Sequence, residues 1–307
     1  MNEPSLQRPD VPPEQHSYRV RHRTTYTYSA TMTDGYTVAA LSPRPTPWQS
    51  VVSTEVMVEP LPSEADHYLD VFGNHLSQFG LHEPHTSLSI EADSVVTVNE
   101  RPFPQDATPW EVVVDTLDAL SGDIATDVCF FRGASTFIDL TRWQGELVSL
   151  ASGAFTPGRG VVDAALAFCE AIFRGFVFDA NATDVSTPLG QVLSQRRGVC
   201  QDFAHVAAGA LRSIGLAARY VSGYLETEPP PGHARLIGAD ASHAWCSVWT
   251  PNEGWVDFDP TNGHLPVNRH ITVAWGRDYA DVTPVRGVMI GPASEQGLAV
   301  SVDVAPL

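Results

Sequence analysis

The sequence predicts an α+β protein: a β-sandwich-like amino-terminal module, then a core in which a helix leads into antiparallel strands. Three observations carry that expectation. Residues 16–104 hold several period-two runs and no convincing helix. Residues 109–174 change to helical spacing, and residues 217–260 return to short strand-like runs joined by a tight turn. The expected division is a disordered lead-in at 1–15, a β-rich domain at 16–104, a core at 105–275 and a β extension at 276–307.

The elements follow in order. Residues 1–15 are polar and proline-bearing, which favours disorder. From Tyr18 the text becomes YRVRHRTTYTYS, where Tyr18, Val20 and His22 alternate with Arg19, Arg21 and Arg23. Further strand signals are VVSTEVMVEP at 51–60 and TSLSIEADSVVTVNE at 86–100, separated by the turn-prone SPRPTP and FGNH. Helical spacing marks 109–120, 140–151 and 161–174. In the last, Val162, Leu166, Cys169 and Phe173 recur along one face, so Cys169 reads as a buried structural thiol. A short helix ending in SQRR precedes Gly198-Val199 and then CQDFAHVAAGALRSIGL, a helix that stops at Gly215. Strands are expected at 217–226, 243–250 and 254–260, with PNEG as the turn between the last two, and two more in the carboxyl-terminal segment.

Composition narrows the function. Of 307 residues, 43% are hydrophobic and 18% charged, enough to bury a sizeable core and unlike a disordered or fibrous chain. The net charge of −18 repels phosphate backbones and anionic lipid, so neither nucleic acid nor membrane is an expected partner. The first residues lack the basic and apolar regions of a signal peptide, and no run approaches the roughly 18 apolar residues of a membrane span. Cys129, Cys169, Cys200 and Cys246 lie far apart, without a C-x-x-C pair. A disulfide framework or structural zinc is therefore not expected, and a reducing cytoplasm is.

In such a setting a cysteine in a special place is a nucleophile candidate. Cys200 opens a helix behind a glycine, where free N–H groups and the macrodipole stabilise a thiolate. His243 opens a strand, and Asp259 ends the next one. A thiol needs an imidazole to take and return a proton, and the imidazole needs a carboxylate to fix its tautomer. Two strands joined by a short hairpin bring such a pair within reach.

These residues closely resemble a known family. RRGVCQDFAHVAAGALRSIGLAARYVSGYL, SHAWCSVW and GWVDFDPTNG look like the three core motifs of transglutaminase-like proteins. The resemblance implies a papain-like core, its nucleophile helix packed on an antiparallel sheet, with Cys200, His243 and Asp259 as the catalytic triad. Asp257, two residues earlier on the same strand face, is then a bystander. YRVRHRTTYTYS, LSPRP and DVFGNH resemble the β-rich amino-terminal domain of bacterial members, and GRDYADVTPVRGVMIG their carboxyl-terminal segment; SGDIATDVCFFRGAS at 121–135 matches least well.

Four neighbours are weighed beside the triad. Asp202 suits the first helical turn as a cap. His205, five residues past Cys200, faces elsewhere and reads as a structural hydrogen-bonder. Trp245 and Trp255 are candidates to wall a substrate slot or to support the site from the core. The Cys200 backbone N–H is the expected oxyanion donor.

Other chemistries fail. HEPH at 82–85 lacks the i, i+4 histidine pair of a metalloprotease, and neither a G-x-S-x-G elbow nor a phosphate-binding glycine loop is present. No metal or organic cofactor is called for. The expected activity is cysteine-dependent acyl transfer on protein or peptide amides through a thioester. Hydrolysis is preferred, since transamidation requires water to be kept from the thioester. Glutamine-to-amine cross-linking and a non-catalytic peptide-binding module of the same fold are the alternatives.

Overall fold

The computed structural model describes residues 15–226 and 242–307. The lead-in assigned to residues 1–15 lies outside them, except for Gln15, where the first strand already begins. Six strands come first: β1 (Gln15–Met32), β2 (Asp34–Ala39), β3 (Gln49–Glu59), β4 (Glu64–Leu69), β5 (His75–Leu81) and β6 (His85–Asn99). The alternation in β1 is used as its text predicts. Tyr18, Val20 and His22 are buried, while Arg19 and Arg21 reach Asp93, and Arg23 reaches Glu91, across to β6.

The middle of the chain carries α1 (Trp110–Ala119), α2 (Gly122–Cys129), α3 (Leu140–Ser152), α4 (Val161–Gly175), β7 (Val177–Phe178), α5 (Leu189–Gln195), β8 (Arg197–Gly198) and α6 (Cys200–Ser213). Then follow β9 (Ala218–Leu225), β10 (Ser242–Thr250), β11 (Gly254–Phe258), β12 (His270–Gly276), a 3-10 turn at Tyr279–Asp281, β13 (Val285–Ile290) and β14 (Gln296–Pro306). Gly215, at φ +92°, turns the chain out of α6 into β9.

Two antiparallel sheets, ordered β14-β1-β6-β3 and β13-β2-β5-β4, form the amino-terminal unit. Ala39, Phe79, Leu81, Leu88, Ile90 and Ala92 fill the space between them. Residues 276–307, expected as a β extension, send β13 to pair with β2 and β14 to pair with β1. Both ends of the described residues thus build one sandwich, and the central residues form a unit inserted between its strands. Alternation in β14 predicts a strand but says nothing about its partner.

The inserted unit has an antiparallel sheet ordered β11-β10-β9-β12. Cys246, Val248, Val256 and Phe258 from that sheet share a core with Phe168 of α4 and Phe203 and Leu211 of α6. Tyr220, Tyr224, Ala244 and Ile271 pack with Tyr18, Val20, Val96 and Val304 of the sandwich, so α6 and its sheet are braced from both sides. No helix among the described residues is long and apolar enough to cross a membrane.

Candidate active site

Local sequence sets the start of α6. The N-cap position is Val199, which has no side-chain acceptor, so the helix borrows its cap from within: Asp202 Oδ2 accepts the Val199 N–H at 2.8 Å. The same oxygen accepts from Thr183 Oγ1 at 2.6 Å. Burial raises the Asp202 carboxyl above its usual range, against the pull of those two hydrogen bonds. Asp202 also packs onto Gly198, where a Cβ would lie 2.5 Å from Asp202 Oδ2. Glycine is therefore required for the cap to close, and the expected capping role of Asp202 describes what its atoms do.

Cys200 follows in the first turn, partly exposed, its N–H among those a helix leaves without an internal acceptor. Its side chain packs against the cluster that contains Ala204 and Tyr220. Burial, and next the charge of Cys200, push the Tyr220 phenol well above its ordinary value.

His243 stands near the start of β10, with Asp259 as its hydrogen-bond partner and Cys200 acting on the same ring. Its Nε2 lies 2.7 Å from Asp259 Oδ2, and Cys200 is its second partner. A carboxylate only accepts, so Nε2 carries the proton toward Asp259 and Nδ1 is left for the sulfur. Burial disfavours a charge on this imidazole, yet hydrogen bonds and charges from Asp259 and Cys200 outweigh it and raise it to about 10.

Asp259 is fully buried and held by five donors. Oδ1 accepts from the Thr261 and Asn262 amides at 2.9 and 3.2 Å, and Oδ2 from His243, from Asn262 Nδ2 at 2.7 Å and from His270 Nε2 at 3.0 Å. Burial alone would raise its carboxyl. The hydrogen bonds and charges of the two histidines reverse that and hold it far below the usual carboxylate range. The proline, threonine and asparagine that follow Asp259 make a turn whose amides fold back on the side chain.

The structure thus brings Cys200, His243 and Asp259 together from α6, β10 and the end of β11. The other candidates sit around them in supporting places. His205 Nε2 accepts the Tyr279 N–H at 3.1 Å, and its ring stacks on Phe137; burial lowers it to about 3, so it is neutral. Trp245 is fully buried and donates Nε1–H to Asp257 Oδ2 at 3.1 Å, which leaves it no surface to present to a slot. Trp255 lines a cavity of about 750 Å³ with Arg101, Phe103 and Leu265, and the Arg219 guanidinium lies 3.8 Å from its ring centre. Asp257 is occupied by Arg101 at 2.5 Å, by Trp245 and by Ser247.

Sequence reasoning passed over His270, whose only local signal is that it opens a strand, and Asn262, which was read as part of a turn motif. Cys169 was placed on a buried face, but its contact was not foreseen: its thiol donates to the Asp259 carbonyl at 3.0 Å. His243, Asp259 and His270 offer three ligand-type atoms within 4.8 Å of one another, the spacing that a metal site shows. The 2.7 and 3.0 Å separations are direct hydrogen bonds, however, and the donor atoms are engaged with each other.

Comparison with known proteins adds to this geometry. Residues 18–97 match the Bacterial transglutaminase-like N-terminal region, and residues 149–260 match the Transglutaminase-like superfamily. An uncharacterized protein of Mycobacterium tuberculosis is 40% identical over 300 residues, covering 95% of this chain and 93% of its own. A shorter stretch of 67 residues is 40% identical to a protein-glutamine gamma-glutamyltransferase of Pseudomonas aeruginosa, covering 22% of this chain and 10% of that one. Among solved structures, a candidate cysteine protease from Cytophaga hutchinsonii aligns with a TM-score of 0.69 at 20% identity. That alignment covers 94% of this chain and 91% of that one, and the likeness is one of fold.

Proposed function

The chain belongs to the transglutaminase-like superfamily, and from that premise we propose that it is a cysteine-dependent acyl-transfer enzyme acting on protein or peptide amides. The observation that carries this reading is the convergence of Cys200, His243 and Asp259, with His243 Nε2 2.7 Å from Asp259 Oδ2 and Cys200 acting on the same imidazole. In this reading the Cys200 thiolate attacks an amide carbonyl. A carbon–sulfur bond forms, the carbon–nitrogen bond breaks, and the His243 Nδ1 proton leaves with the amine. The thioester is then opened by water, whose proton His243 takes as the carbon–sulfur bond breaks. Asp259 stays ionised throughout and holds the imidazole in line. The Cys200 N–H at the start of α6 is the natural donor to the oxyanion.

Hydrolysis is the preferred outcome, because Cys200 is partly exposed and water is the commonest acceptor. Transamidation is the second reading, favoured by the local match to the Pseudomonas transferase. All four cysteines are free, which fits the reducing cytoplasm that we assign as the compartment. The test is turnover of glutamine- and amide-bearing peptides by wild-type protein and Cys200→Ala, with folding checked by circular dichroism. Turnover that survives in Cys200→Ala ends the proposal. Ammonia release without incorporation of an added primary amine marks hydrolysis, and incorporation marks transamidation.

A further inference from the structure

Two histidines converge on one oxygen of Asp259, but only one of them touches Cys200. His270, the first residue of β12, is 2% exposed and places Nε2 3.0 Å from Asp259 Oδ2, beside the 2.7 Å contact of His243. Because the carboxylate only accepts, His270 is fixed as the Nε2–H tautomer. Its Nδ1 is buried and has no hydrogen-bond partner among the described residues. Trp245 meets its ring edge-on, with centroids 5.2 Å apart, and the His264 ring packs at 5.9 Å.

This asymmetry has an electrostatic consequence. A second proton on His270 would create a buried N–H without an acceptor beside a buried charge, which is strongly unfavourable. A second proton on His243 lies toward Cys200, where it has a partner. We infer that His270 is a positioning residue: a permanently neutral donor that fixes the rotation of the Asp259 carboxylate and leaves His243 as the one imidazole of the pair that carries charge. Its orphaned Nδ1 is the feature that assigns this role, since a histidine kept only for charge would be partnered there.

The groups facing the pair agree with this. Around His270 these are Asp259, His243, Arg101 and His264; around His243 they are Asp259, Cys200 and His270. Burial lowers His270, helped by the positive charges of His243 and Arg101, and outweighs the opposing pull of Asp259. One carboxylate therefore serves two imidazoles of opposite behaviour. Asn262 Nδ2 at 2.7 Å is the third donor on that oxygen, so loss of His270 would leave Asp259 ionised but freer to turn.

The inference rests on the proposed role of Cys200, His243 and Asp259, and its test separates the two. Rates of Cys200 alkylation by iodoacetamide are followed from pH 4 to 10 by peptide mass spectrometry in wild type, His270→Phe and His270→Gln. Phenylalanine removes the donor and keeps the ring, whereas glutamine keeps a donor. The expected result is that the acid limb of the profile moves up by about one pH unit in His270→Phe, roughly a tenfold loss of rate on that limb, and returns nearly to wild type in His270→Gln. A His270→Phe profile that overlays wild type, or a His270→Gln profile displaced as far as the phenylalanine one, overturns the inference. Nitrogen-15 NMR of wild-type histidines supplies the check that needs no variant. His270 should keep one protonated and one bare nitrogen across pH 5 to 9, and a doubly protonated His270 in that range sinks the idea. If wild-type Cys200 reacts no faster than exposed Cys129, the acyl-transfer reading fails while the NMR result on His270 stands by itself.

Discussion

The thiol of Cys169, on α4, donates to the backbone carbonyl of Asp259 at 3.0 Å, so the carboxylate of the candidate triad is anchored by a second cysteine from a different helix. The same carbonyl also accepts the Gly263 N–H at 2.8 Å, and Asp259 N donates to the His264 carbonyl at 2.8 Å, so the turn is held at several points. Cys169→Ala should therefore cost only about 1–2 kcal/mol, a lost weak donor plus a small cavity, and should leave the Cys200 alkylation rate close to wild type. Urea unfolding and alkylation kinetics on the same variant check both halves.

Cys169 and Cys246 should themselves stay unmodified in the native protein. Burial, and then the Asp259 charge, push the Cys169 thiol up; burial is likewise the leading cause at Cys246. Both are fully buried, whereas Cys200 is partly open and Cys129 exposed. Brief alkylation followed by peptide mass spectrometry should find label on Cys200 and Cys129 alone. Rapid native labelling of Cys169 would contradict its place in the core.

The three residues of the candidate site were legible because each sits in a motif that resembles the family's, GVCQDFAH, HAW and DPTN; singly, a glycine before a helix, a strand-opening histidine and a turn aspartate are ordinary. His270 was not, because its importance lies in what it meets. It is eleven residues past Asp259, and nothing in HITVAWG tells a strand-opening histidine from one aimed at that carboxylate. Trp245, weighed as slot wall or core support, takes the core place: it is fully buried, and Asp257 receives its indole N–H.

Arg101 and Asp257 make the next prediction. Arg101 follows β6 and reaches across to β11, where its guanidinium meets Asp257 with both side chains mostly buried. Asp257 is held below its usual range despite burial, with the Arg101 charge and the Ser247 contact as the leading opposing causes. Arg101→Ala strands that carboxylate in the interior and should cost about 3–5 kcal/mol. Pairing it with Asp257→Leu should recover much of the loss. Equilibrium denaturation of both single variants and the double variant tests the coupling.

The fold divides along similar lines. β1, β3, β6 and β14 are long and alternate clearly, so period two finds them. β4 is six residues long and exposed throughout, so it has no inward face to betray it. Beyond the hairpin that pairs β10 with β11, sheet partners were out of reach. That β14 lies beside β1 follows from the central unit packing Tyr220 and Ile271 against Tyr18 and Val304, a contact among residues far apart in sequence.

Gly198 tests the helix start. An alanine Cβ there would meet Asp202 Oδ2 at 2.5 Å and Asp202 Cβ at 3.0 Å. Asp202 would have to leave, releasing Val199 N–H and Thr183 together. Gly198→Ala should cost about 1–2 kcal/mol for the lost cap and slow Cys200 alkylation by displacing the first turn of α6. Asp202→Asn, which keeps an acceptor without the clash, should be milder in both. A Gly198→Ala protein as stable and as reactive as wild type would show that the cap is unimportant.

The pH dependence of stability carries the last prediction, and its sign differs for the two partners. His243 is raised in the folded protein, from an ordinary value near 6.5 to about 10. Its contribution is therefore complete below pH 6.5 and is lost as pH rises through about 10. Asp259 is depressed, so its contribution is present above the ordinary carboxylate value and disappears as pH falls through the folded one. Urea midpoints measured from pH 3 to 10 should then fall at both ends. His243→Gln should flatten the alkaline side and keep most of the acid side, since Asp259 retains His270, Asn262 and the turn amides. Asp259→Asn should flatten both, because the carboxylate is also a principal reason the imidazole is raised. An alkaline slope that persists unchanged in Asp259→Asn would mean that the charge on His243 is set by some other group, and the pairing drawn from the 2.7 Å contact would have to be given up.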